Sequence, residues 1–134
     1  MEPVKQEDDL GCAVACVAFV LDIIYRDATE LFKDGKTRVK NKANFYCPEI
    51  VKILSCKGFH YKWKKLKSGT EVEIYQDNSI VFIKRSSKHP YGHFLVRHAE
   101  EWMDPWINLP DENIKAGFRK NLPGIPTYVI YQDG

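Results

Sequence analysis

The sequence predicts an α+β domain in which a helical first half packs on an antiparallel sheet formed by the second half. Three observations carry that expectation. The stretch from Gly11 to Tyr25 is apolar on nearly every side of a helix, the mark of a buried one. Beyond Phe59 the texture changes to short runs of β-branched and aromatic residues separated by turn signals. No repeat, low-complexity tract or linker divides the halves, so residues 1–134 are expected to form one domain. Helices first and strands afterwards make an α+β arrangement.

In the first helix Val14, Val17, Ala18, Leu21 and Ile24 are joined by Ala13, Cys16 and Val20 on the remaining sides. Asp8 and Asp9 lie just ahead, where carboxylates cap free backbone N–H groups and complement the helix dipole. A second helix is expected over about Asp27 to Lys33. A third starts after Pro48, a residue suited to a first helical turn, and stops near Gly58. Strands are expected over Phe59 to Leu66, Glu71 to Tyr75 and Ser79 to Arg85, with Ser68-Gly69 and Asp77-Asn78 as turns. Gly92 to His98 alternates regularly, with His93, Leu95 and Arg97 on one face and Phe94, Val96 and His98 on the other. Trp102 to Ile107 reads as a short return strand broken by Pro105. A helix around Asp111 to Lys120 and a strand from Thr127 to Gln132 follow.

Apolar residues make up 44% of the sequence and charged residues 28%, ordinary values for a folded protein. A formal charge of +2 is too small to make nucleic acid or an acidic membrane the main partner. The acidic, polar start from Met1 to Asp9 has no signal-peptide pattern, and Asp22 interrupts an apolar run already too short to span a bilayer. The expected location is the cytoplasm, or a target reached by a non-standard route as a toxin or effector. In the cytoplasm thiols stay reduced, so Cys12, Cys16, Cys47 and Cys56 are expected to be free.

Cys12 stands where the first buried helix begins. Unpaired N–H groups and the macrodipole there favour negative charge, and the thiolate is the nucleophilic form of cysteine. Gly11 lets the backbone turn into the helix. Gln6, six residues upstream, carries an amide that would help the Cys12 N–H hold a developing oxyanion. Cys16, one turn deeper, reads as core.

This opening resembles that of papain-like cysteine peptidases, closest to the bacteriocin-leader (double-glycine) processing group. That group opens with Gln, a five-residue gap, then Cys-Gly-x-Ala-Cys. Here the stretch runs Gln6-Glu-Asp-Asp-Leu-Gly-Cys12-Ala-Val-Ala-Cys16. Gly11 and Ala13 depart from it, since the group has Asp before the nucleophile and Gly after it. The resemblance implies a peptide substrate cut after small residues such as a glycine pair, with no cofactor.

A second segment, Tyr91-Gly92-His93-Phe94 through Met103-Asp104-Pro105-Trp106, resembles the Gly-His-Phe to Asp-Pro segment of the same group. A histidine opening an apolar strand is held rigidly. An aspartate eleven residues on, at the end of the return strand, would swing back to fix its tautomer and orientation. His93 is preferred over His98 (expected at the surface), over His89 (in a loop before Pro90) and over His60 (in a basic aromatic strand). Gly92 and Trp106 are expected to touch substrate. Trp102 and Phe94 suit a cleft and a core equally well.

Other constellations are weaker. No paired cysteine knuckles, phosphate loop or dinucleotide fingerprint occurs, so no metal or cofactor is expected. Lys62-Trp63-Lys64-Lys65-Leu66-Lys67 would suit single-stranded nucleic acid, but a sheet-edge strand with outward lysines explains it better. The expected function is therefore hydrolysis of a peptide or other acyl bond by Cys12, His93 and Asp104, with Gln6 at the oxyanion. An inert peptide-binding domain and a nucleic-acid-binding protein are the alternatives.

Overall fold

The structure, a computed structural model, describes residues 1–41 and 45–133. Among these residues the fold is α+β, with four helices packed on a six-stranded antiparallel sheet. The helices are α1 (Cys12–Leu21), α2 (Tyr25–Thr29), α3 (Gly35–Asn41) and α4 (Cys47–Cys56). The strands are β1 (Tyr61–Lys65), β2 (Ile80–Ile83), β3 (His93–His98), β4 (Glu101–Asp104), β5 (Gly117–Arg119) and β6 (Pro126–Gln132), in the spatial order β1-β6-β2-β3-β4-β5.

Helix α1 is buried without a break from Ala13 to Phe19, as its all-round apolar sequence requires, and it lies on β3. It is shorter than the apolar run. Asp22 takes a left-handed conformation (φ 56°), and its N–H bonds back to the Phe19 carbonyl, ending the helix after Leu21. The chain then restarts as α2 rather than holding one helix to Tyr25. The second expected helix, about Asp27 to Lys33, is replaced by α2 and α3 on either side of a turn.

Two further expectations fail. Glu71 to Tyr75 is not a strand: Val72–Tyr75 winds into a 3-10 turn whose Ile74 plugs the face of the sheet away from α1. Asp111 to Lys120 is not a helix: its Asn and Asp side chains make local turns, and Gly117–Arg119 is β5. Asp8 and Asp9 do not cap α1 either, since no side chain bonds its first N–H groups. Asp8 instead accepts the Tyr25 hydroxyl.

The sheet divides the core. Ile80, Val96, Met103 and Ile130 meet the helices on one face, while Val81, Leu95, Trp102 and Val129 form a second cluster behind. No described helix is long and apolar enough to cross a membrane.

Candidate active site

The segment ahead of α1 ties the two halves together. The Gln6 N–H donates to the Pro105 carbonyl at 3.2 Å, beside the end of β4, and the Leu10 N–H donates to the Val39 carbonyl of α3 at 2.9 Å. Between these anchors the chain turns through Gly11. A Cβ there would collide with the Tyr25 hydroxyl, so glycine occupies the position that the resembled group gives to aspartate. Cys12 follows as the first residue of α1, half-buried, on the wall of a cleft of about 640 Å³.

His93 opens β3 after Gly92, whose φ of +73° suits glycine. The Phe82 ring and the Ile83 carbonyl fill the space a Cβ would need at Gly92. The hairpin sets the next contact. The β3–β4 ladder runs from His98 opposite Glu101 to Val96 opposite Met103, and just beyond it the start of β3 and the end of β4 bring His93 and Asp104 together. His93 Nε2 is 2.7 Å from Asp104 Oδ1, with both side chains buried. A carboxylate only accepts, so Nε2 carries a hydrogen, and the Cys12 thiol is the other hydrogen-bonding neighbour of the ring.

Asp104 is fully buried and has three donors. Besides His93 these are the Trp106 N–H at 3.0 Å and Arg119 Nη1 at 3.0 Å on Oδ2. Burial alone would raise its pKa, but His93, the Trp106 N–H and Arg119 outweigh that and hold it below the usual range. For His93, burial opposes the charged ring, while Asp104 and Cys12 favour it through hydrogen bonds and charge. The imidazole is pushed up to about 9. Cys16 is fully buried, and burial pushes its thiol well up; it is core.

Gln6 lines the same cleft and is buried. Its amide nitrogen donates to the carbonyls of Asp8 and Asp9 at 3.0 and 3.1 Å, and its oxygen meets no partner among the described residues. Two carbonyl acceptors settle which end is nitrogen. Donation to a substrate oxyanion would require one of those N–H bonds to be shared. The N–H groups of the first turn of α1, which no side chain caps, are the other donors beside Cys12. Trp106 and Gly92 both line the cleft, as does Phe94. Trp102 does not; it lies in the cluster behind the sheet under Arg97.

Two residues of the site were missed from sequence. Arg119 falls in the stretch expected to be a helix, although Gly117 and the Asn-Asp-Pro-rich approach are signs of turns and a short strand. His89, before Pro90, has only the sequence marks of a loop residue. Its buried ring stacks on His93 with centroids 4.8 Å apart and planes 24° apart. Burial, then the charge of His93, pulls its pKa down to about 4, so it is a neutral plate at neutral pH. His98 is no surface residue: half-buried, it meets the Phe19 ring edge-on at 5.4 Å. His60 is exposed.

All four cysteines are free thiols, and among the described residues no three His, Cys, Asp or Glu side chains converge as metal ligands would. The Lys62 to Lys67 segment includes the sheet-edge strand β1, where Lys62 pairs with Asp133 and Lys64 with Glu73. No protein-family model matches the sequence, and no curated protein matches it.

Proposed function

We propose that this protein is a papain-like cysteine hydrolase acting on a peptide or other acyl bond, with Cys12, His93 and Asp104 as its triad. The observation that carries the reading is the position of the His93 ring, whose Nε2 is 2.7 Å from Asp104 Oδ1 while the same ring neighbours the Cys12 thiol. Asp104 takes Nε2–H, and the ring exchanges a proton with the thiol at the start of α1 inside an open cleft. The proton shared by Cys12 and His93 rests on the imidazole, whose raised pKa favours the charged ring, and the Cys12 thiolate attacks the carbonyl carbon. Charge moves to the carbonyl oxygen, which the uncapped N–H groups of α1 stabilise, with Gln6 able to join if it releases a carbonyl. His93 then protonates the leaving amine, the C–N bond breaks, and an acyl-thioester remains on Cys12. Water, deprotonated by His93, cleaves the thioester and returns the thiol.

One observation favours a second reading, a peptide-binding domain without turnover: both Gln6 N–H groups are already engaged. Iodoacetamide labelling between pH 6 and 8, followed by peptide mass mapping, separates the two when combined with a cleavage assay. The hydrolase reading expects Cys12 to be labelled ahead of exposed Cys56, labelling to slow in His93→Ala, and cleavage to vanish in Cys12→Ala. Selective labelling without cleavage of any peptide supports the binding domain. Equal labelling of Cys12 and Cys56 with no effect of His93→Ala sinks the triad.

A further inference from the structure

Four aromatic rings form one line across four neighbouring strands. Trp63 on β1, Tyr128 on β6, Phe82 on β2 and Phe94 on β3 contact in sequence, with centroids 6.0, 6.4 and 4.8 Å apart. The register explains the line. Trp63 lies opposite Ile130, two residues from Tyr128, and Tyr128, Phe82 and Phe94 face one another across successive strands. Side chains alternate with a period of two, so all four rings share a face of the sheet. It is the helix-covered face, since Ile80, Val96 and Ile130 of the same parity belong to the core under the helices. The line runs out from beneath that cover: Phe94 is buried next to His93, whereas Trp63 at the far end is 42% exposed. All four line the cleft that holds Cys12.

The lining also includes Tyr46 and Tyr91, 66% and 58% exposed. Large rings left in water around one concave site mark a place where an apolar group is received. Charge narrows the choice. Arg85 and Lys88 line the same cleft, and neither forms an ion pair among the described residues, whereas Arg38, Lys62, Lys64 and Arg119 each hold a carboxylate. Asp9 is the one acidic residue on the wall among the described residues.

We propose that this arm of the cleft receives a peptide bearing a large apolar or aromatic side chain on the ring ladder and a neighbouring carboxylate at Arg85 and Lys88. The inference rests on the hydrolase reading for the fate of the bound peptide and adds its selectivity. A glycine pair, the site implied by the resemblance, has no side chain to lay on the ladder. Such a pair would have to be flanked by a residue that does.

Two synthetic peptides test this: acetyl-Glu-Phe-Gly-Gly-Phe-Glu-amide and acetyl-Gln-Ala-Gly-Gly-Ala-Gln-amide, which place the same residues on both sides of one central bond. Binding of fluorescein-labelled versions to Cys12→Ala is read by anisotropy, and cleavage by the unaltered protein by mass spectrometry. The first peptide is expected to bind about tenfold or more tighter, the usual yield of a filled apolar subsite. Trp63→Ala and Arg85→Glu should each erase most of that difference. Equal binding, no binding of either peptide, or a preference surviving both substitutions overturns the proposal. Preferential binding without cleavage upholds it while removing the hydrolase reading; cleavage of both peptides at equal rates does the reverse.

Discussion

His93, Asp104 and Arg119 are joined in series and two of the three are buried, whereas on the cleft lining Trp63, Tyr46 and Tyr91 stand in solvent with Arg85 and Lys88, two cations that form no ion pair among the described residues. The difference follows from what each region would have to do. A proton relay works only when ring, carboxylate and thiol are held within tenths of an ångström, and buried charge-assisted bonds supply that rigidity. A recognition surface depends instead on area that is still unpaid by the fold, since rings already packed have nothing left to gain from a ligand. One region spends its interactions internally; the other keeps them available.

The comparison breaks most visibly at the thiols. Cys12→Ala should lower turnover about 10⁴-fold or more, while Cys16→Ala, one helical turn away in the core, should retain turnover and cost about 1 kcal/mol of stability. Steady-state cleavage and denaturant melts check both. Asp104→Ala comes next, because it strands His93 and Arg119 without their acceptor. A loss of about 3 kcal/mol in stability and about 100-fold in turnover is expected, with the two measured on the same preparation.

Acidity tests the same region without a mutation. The His93 pKa is raised from 6.5 to about 9, so its contribution to stability is full below about pH 6.5 and is lost as pH rises through about 9. The Asp104 pKa is lowered from 3.8, so its contribution is full above that value and is lost as pH falls through the lower one. Melting temperature should therefore hold a plateau between roughly pH 4 and 6.5, and His93→Gln should abolish the alkaline decline. Arg119→Gln is a milder cut. It removes one of the groups that lower Asp104, so the acid limb of the pH–rate profile should move upward, with turnover at pH 7 falling about tenfold or less. On the exposed lining the effect on the fold should be smallest. Trp63→Ala is expected to change stability by less than about 1 kcal/mol, because the ring is 42% exposed, and an unfolding curve shifted further would place Trp63 in the core rather than in the binding surface.

How far these regions can be read from sequence differs in the same way. Cys12, His93 and Asp104 stand out because each sits at a local boundary: a helix start, a strand start after glycine, and a strand end before proline. Arg119 has no such mark. Its role depends on β5 pairing with β4 so that Arg119 faces Trp102, and a stretch of Asp, Glu, Asn and Lys carries no period that announces a three-residue strand. The aromatic ladder is equally hidden. Trp63 and Phe94 are separated by 31 positions of sequence, and they share a line only because β6 inserts between β1 and β2. His89 reads as loop until its ring is seen stacked on His93.

By itself, then, the order of residues determined the α+β class, the helix buried on all sides and the positions of a thiol, an imidazole and a carboxylate at the ends of their elements. Those are local properties, set by the spacing of apolar side chains and by where glycine and proline interrupt it. Which nitrogen of His93 faces Asp104, which cation steadies that carboxylate and which rings floor the cleft were decided by strand order and register. Both depend on pairings between distant segments, and no local pattern encodes them.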